Sequence, residues 1–200
     1  MTDQRSFTGA VSSTSPVNHT EFATTSLDRL HILKRYRTIA MVGLSANPYR
    51  PSHFAAIYML AAGYRVIPVN PREKEILGQT CYPSLEAVPE PIEIVDIFRE
   101  SAAVPPIVDA AIAVGAKVVW MQLGVINEAA ARTAKAAGLE LVMDACVKIE
   151  HARFLVVVKY ELKDEANQRG THDSDPLPAL RRNRSRSEWA YESRSPEILL

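Results

Sequence analysis

The residues most able to do chemistry stand where short apolar runs end. The run Thr38-Ile39-Ala40-Met41-Val42 is followed by Gly43-Leu44-Ser45-Ala46-Asn47-Pro48-Tyr49-Arg50-Pro51-Ser52. Gly43 permits a tight turn, and the N–H groups of a helix starting after such a loop hold phosphate. The stretch departs from the G-x-G-x-x-G pattern, because Ser45 occupies the second glycine position and the loop is longer. It reads equally as a plain turn or as a phosphate loop, with Arg50 adding positive charge. The run Arg65-Val66-Ile67-Pro68-Val69 ends in Asn70-Pro71-Arg72-Glu73-Lys74. A site for NAD places Asp or Glu at that point, to accept hydrogen bonds from the ribose hydroxyls. Neutral Asn70 followed by Arg72 and Lys74 suits a phosphate on the ribose instead, which leaves NADP and coenzyme A. Asn-Pro is also an ordinary turn, with Arg72 then a solvated side chain.

Machinery for bond breaking is sparse. His53 falls at the start of a helix after the first run, where it meets either a phosphate or solvent. His151 has no Ser or Cys beside it in a recognisable triad. His19 and His172 fall near the chain ends, and His31 on a leading helix. Glu73 and Glu75 flank Lys74 and read as a solvated loop. No cluster has metal-ligand spacing. Cys146, after the fifth apolar run, is the one nucleophile near the rim that carries Gly43 and Asn70.

The elements that must position these residues alternate regularly. Short β-rich runs occur at 38–42, 65–69, Ile92 to Phe98, Lys117 to Met121 and Leu139 to Met143, and several are nearly continuous apolar stretches, as strands covered on both faces are. Helical segments lie between them. Ser52 is placed to cap the first, with Phe54, Ile57, Tyr58 and Ala61 on one face and Gly63 at its end. Pro105 and Pro106 open the second, and Asn127 caps a third that runs through Ala130, Ala131 and Ala134 to Gly138. A leading helix over about 26–36 carries Leu27, Leu30, Leu33 and Tyr36. Alternating strands and helices with short connections predict an α/β fold with a doubly wound, five-stranded parallel sheet, in the strand order 3-2-1-4-5. In such a sheet ligands bind outside the carboxyl ends of the strands, beside strand 1.

The 200 residues carry 23 Lys+Arg against 23 Asp+Glu, so no global field gathers phosphates or anionic lipid, which argues against nucleic acid and membrane as partners. No apolar stretch approaches the ~20 residues that cross a bilayer. Two cysteines, Cys81 and Cys146, are too few for a disulfide framework and fit a reducing, cytoplasmic compartment. Residues 1–25 are Ser/Thr-rich and read as a disordered tail, and residues 164–200 as a disordered mixed-charge tail. There Arg181-Arg182-Asn183-Arg184-Ser185-Arg186 is flanked by Asp173, Asp175, Glu188 and Glu192, a solvated run more than a nucleic-acid or targeting patch. The domain is expected over 26–163, with Phe154 to Tyr160 adding either a strand or a helix.

Taken together the motifs resemble a known family. Val42-Gly43-Leu44-Ser45, Arg50-Pro51-Ser52, Val66-Ile67-Pro68-Val69-Asn70-Pro71, Ile76-Leu77-Gly78, Cys81-Tyr82-Pro83-Ser84-Leu85, Val95-Asp96-Ile97-Phe98-Arg99, Trp120-Met121-Gln122-Leu123-Gly124 and Lys148-Ile149-Glu150-His151-Ala152-Arg153 are similar to those of the single-domain CoA-binding proteins, over about 27–155. That family is similar in fold to the nucleotide-binding domain of the succinyl-CoA synthetase α subunit. The resemblance implies a Rossmann-like fold holding coenzyme A at the switch point. It implies Gly43, Ser45, Arg50 and Ser52 toward the phosphates, and Val69, Asn70 and Arg72 on the adenosine side. Phe98 and Arg99 would close over the nucleotide, Leu123 and Gly124 would border the pantetheine, and Cys146 matches the family's Asp-x-Cys. It further implies a module that binds CoA or acyl-CoA, in a family without a settled catalytic activity; with chemistry so sparse in the sequence, this reads as a carrier, sensor or regulator more than as an enzyme, with a protein partner or homodimer open. The alternative is an NADP-dependent oxidoreductase or an acyl-CoA-handling enzyme, which requires a base or hydride pocket that no motif supplies.

Overall fold

A computed structural model of the chain describes residues 22–153. The five β-rich runs form strands β1 (Thr38–Val42), β2 (Arg65–Val69), β5 (Ile94–Ile97), β6 (Val118–Met121) and β7 (Glu140–Val142). Two-residue strands β3 (Glu75–Ile76) and β4 (Gln79–Thr80) make a separate hairpin. The five long strands build one parallel sheet in which Val69, Val42, Ile97 and Met121 stand level, so the carboxyl ends form an even rim. Helices α3 (Val104–Ala113) and α4 (Glu128–Ala136) cover one face through Val104, Val108, Ala111, Ala130, Ala131 and Ala134. Helices α1 (Ser26–Arg35) and α2 (Pro51–Ala61), with the helical segment 147–153, cover the other through Ile32, Leu33, Ala55, Ala56, Met59 and Val147. The architecture is the expected Rossmann-like one.

The strand order is not the expected one. It is β2-β1-β5-β6-β7, which in chain order is 2-1-3-4-5 rather than 3-2-1-4-5. The cause lies in residues 70–93. They contain no helix, and a parallel neighbour outside β2 requires a crossover of a dozen or more residues, usually helical. They occupy the outer edge of β2 themselves: the Tyr82 N–H donates to the Pro68 carbonyl at 3.0 Å, the Asn70 N–H donates to that of Tyr82 at 2.9 Å, and Arg65 pairs with Glu90 at 2.7 Å. The chain then enters β5 on the far side of β1, where Glu93 Oε2 accepts the N–H groups of Arg37 and Thr38 at 2.7 and 2.9 Å. The switch point therefore lies between β1 and β5.

Two helices also turn differently from expectation. Phe54, Ile57 and Ala61 face outward, Phe54 and Ile57 being 53% and 46% exposed, and α2 meets the sheet through Ala55, Ala56 and Met59. Small side chains there let the backbone approach the strands. Ser52 does not cap α2. Arg50 is the N-cap residue, Pro51 starts the helix, and the Ser52 hydroxyl accepts the Ser45 N–H at 3.2 Å. In α1, Leu27 is exposed and Ile32 and Leu33 are buried. Asn127 caps α4 as expected, accepting the Ala130 N–H at 2.9 Å. Phe22, placed by composition in the N-terminal tail, is buried against the α4 side of the core, with the Lys135 ammonium 5.0 Å from its ring centre. The remaining tail residues 1–21 and 164–200, and Phe154 to Tyr160, lie outside the described residues. Among the described residues no helix is long and apolar enough to cross a membrane.

Candidate functional site

Each strand end delivers one piece of the rim. At β1 the chain turns at Gly43, whose φ of +86° is a left-handed conformation that glycine adopts without strain. A Cβ there would lie 3.1 Å from the Phe98 carbonyl and 2.7 Å from Arg99 Cδ, so glycine also lets the loop after β5 close over it. Buried Leu44 anchors the loop, and the His53 imidazole Nδ1 lies 2.9 Å from the Ser45 carbonyl. His53 thus braces this loop instead of projecting from it. The loop ends at the N-terminus of α2, where, among the described residues, no side chain caps the helix and no acid lies in its first turn. Pro51 has no N–H and the His53 N–H donates to the Arg50 carbonyl at 3.0 Å, so it is the helix dipole that places partial positive charge at this end.

Across the switch point, the Phe98 N–H donates to the Val42 carbonyl at 2.9 Å, which brings Arg99 opposite Gly43. At β2, the Asn70 amide donates to the Leu44 carbonyl at 2.9 Å and its Oδ1 accepts the Arg72 N–H at 3.0 Å. The Asn70 side chain therefore ties two rim loops together, while exposed Arg72 extends from the turn it makes. At β6 and β7, the Gly124 N–H donates to Asp144 Oδ1 at 2.7 Å, and buried Trp120 Nε1 donates to the Ala145 carbonyl at 2.7 Å, fixing the segment that carries half-buried Cys146.

Three cavities with shared walls result. The central cleft, of about 500 Å³, is lined by Gly43, Ser45, Arg50, Ser52, Asn70, Arg72, Phe98, Arg99 and Leu123, bringing together most of the residues singled out from the sequence. It shares Gly43 and Arg99 with an apolar chamber of about 390 Å³, bounded by Val69, Pro71, Pro83, Leu85 and the Pro106–Ala110 side of α3. It shares Pro51, Phe98, Gln122 and Leu123 with a second apolar groove of about 450 Å³, lined by Tyr49, Phe54, Cys146 and Ile149. Val69 belongs to the chamber and Cys146 to the groove, while Gly124 lines none of the three and holds the Asp144 turn. Arginine at positions 50, 72 and 99 outweighs one acid, Glu100, and leaves the middle cationic, with mainly apolar walls at both ends.

Two motif residues to which the sequence assigns no site role, Asp96 and Gln122, pair beneath the rim. Gln122 Nε2 donates to Asp96 Oδ1 at 2.6 Å, and Asp96 Oδ2 has no partner among the described residues although it is fully buried. Burial pushes the Asp96 carboxyl up to about 8, partly offset by that hydrogen bond, so at neutral pH it holds its proton. Gln122, 4% exposed, stands where the cleft meets the groove. The legible signal was an acid in the middle of an otherwise apolar strand. His151 is a core residue: its Nδ1 lies 3.0 Å from the Tyr58 hydroxyl, its ring packs edge-on to Tyr58 and Tyr64, and burial with nearby Arg37 holds it below the usual imidazole range. Cys81 is buried, which pushes its thiol up. Among the described residues no three His, Cys, Asp or Glu are placed to hold a metal ion.

A family model described as a CoA binding domain matches residues 37–152. Protein YneT of Bacillus subtilis is 42% identical over 121 residues, covering 60% of this chain and 90% of that protein. A solved hypothetical protein from Pyrococcus horikoshii OT3 is 41% identical, with a TM-score of 0.65, over 72% of this chain and 99% of that one. A solved Thermus thermophilus protein is 33% identical, with a TM-score of 0.62, over 65% of this chain and 98% of that one.

Proposed function

Because the chain belongs to the CoA-binding domain family, we propose that the three joined cavities hold coenzyme A, base in the chamber beside α3, phosphates in the arginine-lined cleft and pantetheine in the groove by Cys146. The observation that carries this reading is the order of polarity along the trough: apolar, cationic, apolar. CoA has that order, a base, a cluster of phosphates and a long neutral arm. The diphosphate lies against the uncapped start of α2 and Arg50, where the helix dipole and the guanidinium favour anions. Arg72 reaches the ribose phosphate, and Arg99 spans the boundary it shares with the chamber. No acid stands at Asn70 to accept from a free ribose hydroxyl, which favours a phosphorylated ribose over NAD. The protein acts as a carrier, sensor or regulator. Its cleft offers Arg50, Arg72 and Arg99 for binding charge, while His53 is engaged with Ser45.

Calorimetry with CoA, 3′-dephospho-CoA, NADP and NAD tests the reading. CoA is expected to bind tightest. Charge-assisted hydrogen bonds contribute ~1.5–3 kcal/mol, so Arg72→Glu weakens CoA by roughly 10- to 150-fold. The same substitution affects 3′-dephospho-CoA much less. Tighter binding of NADP than of CoA would hand the site to the oxidoreductase alternative. An equal loss for both CoA forms would place the ribose phosphate away from Arg72.

A further inference from the structure

We propose that the apolar groove continues beyond the thiol position and receives the aliphatic chain of an acyl-CoA thioester, along the seam between α2 and the helical segment 147–153. This rests on the CoA reading above. The groove does not end at Cys146. It shares Lys148 and Ile149 with a further apolar depression of about 440 Å³, bordered by Tyr58, Ala152 and Arg153. A single path therefore leads from the phosphate cleft, past Phe98, Gln122 and Leu123, to the outer seam of the two helices.

Apart from Gln122, Lys148 and Arg153, the walls of that path are apolar where solvated helix faces ordinarily carry polar groups. Phe54 is 53% exposed, Leu123 65% and Ile149 41%, and all three line the groove. The pantetheine arm ends at its thiol by Cys146 and leaves the apolar wall beyond, at Ile149 and the Tyr58–Ala152 depression, uncovered. A hydrocarbon chain attached at that thiol lies against it. Gln122 marks the entry, with a protonated carboxyl rather than a charge behind it, so a neutral thioester passes no buried anion. A second copy of this chain would cover the same side chains, but a stable interface buries about 800 Å² per partner and has no need to open into a nucleotide cleft. Continuity with the cleft favours the chain attached to the nucleotide.

The test is a titration of the full-length protein with CoA, acetyl-CoA and octanoyl-CoA, with sedimentation to follow its mass. A fully buried methylene is worth about fourfold in affinity and one covered on a single side about twofold, so octanoyl-CoA is expected to bind about 50-fold tighter than acetyl-CoA. Ile149→Glu, on an exposed helix position, is expected to remove most of that gain, weakening octanoyl-CoA far more than it weakens CoA. Equal binding of the three ligands overturns the acyl groove and leaves the CoA reading standing. Binding of none overturns both. Tighter octanoyl-CoA binding that Ile149→Glu does not affect puts the chain elsewhere and overturns the assignment. A dimer that Ile149→Glu splits, with no acyl preference, gives the surface to a second copy.

Discussion

Helices α4 and α2, on opposite faces of the sheet, are finished to different standards. On the α3–α4 face, α4 buries an alanine stripe, Ala130, Ala131 and Ala134, and Asn127 caps its first turn. On the α2 face, Ala55, Ala56 and Met59 are buried just as fully, yet Phe54 and Ile57 stand outward and the helix start is left without a side-chain cap. The contrast recurs within single strands. In β5, Val95 and Ile97 enter the α3–α4 side of the core, whereas Asp96 turns to the side of Gln122 and the rim. The contrast is between α4 and α2 and not between whole faces, since α3 also starts without a side-chain cap and α1 is capped by Thr25. The start of α4 is closed by its own side chain, whereas α2 leaves its start and an apolar flank open at the carboxyl rim, where a ligand with anionic and apolar parts covers them.

The largest test of this contrast is Asp96→Asn. In the folded protein burial pushes the carboxyl up to about 8, against an ordinary 3.8, so between those values the native state keeps a proton that the unfolded state has released. Stability then falls as pH rises through that window, by about 1.4 kcal/mol per pH unit, and levels off above it. Asp96→Asn is expected to remove the slope and to be more stable than the parent at neutral pH, as urea unfolding at pH 5, 7 and 9 reads directly. Parallel profiles for the two proteins would show that the buried acid is not held neutral.

Next in size is the inside of α2 against its outside. Met59→Ala, at a fully buried position, is expected to cost about 2–5 kcal/mol, whereas Phe54→Ser on the opposite side stays within about 0.5 kcal/mol. A Phe54→Ser variant as unstable as Met59→Ala would mean that the outer face is part of the folded core.

The smallest stability effect compares the two helix starts. Asn127→Ala removes the cap of α4 and is expected to cost about 1 kcal/mol with no change in CoA affinity. Arg50→Asp supplies a cap to α2 and is expected to stabilise the fold by about 0.5–2 kcal/mol while weakening CoA at least about tenfold. Gain of stability without loss of affinity would separate the α2 start from the phosphate site.

The amino-acid pattern alone specified the five strands, the cap at Asn127 and the proline start of α3, because each depends on local sequence: runs of β-branched residues, a side-chain oxygen at one position, a ring that fixes φ. It did not determine which strand lies beside which. That depended on the course of residues 70–93, held along the edge of β2 by Tyr82 and Arg65, and such long-range pairing leaves no periodic trace. Nor did it determine which side of α2 faces the sheet. From Phe54 to Leu60 the helix is apolar all round, so hydrophobicity selects no face, and the closeness of the strands selected the alanines. Asn70 was visible as a neutral residue in an acidic position, but its bond to Leu44 across 26 residues exists only after β1 and β2 pair. The division of the rim into a cationic cleft between apolar ends was likewise decided in three dimensions, because its walls come from four strand ends and three helices that meet only in the folded protein.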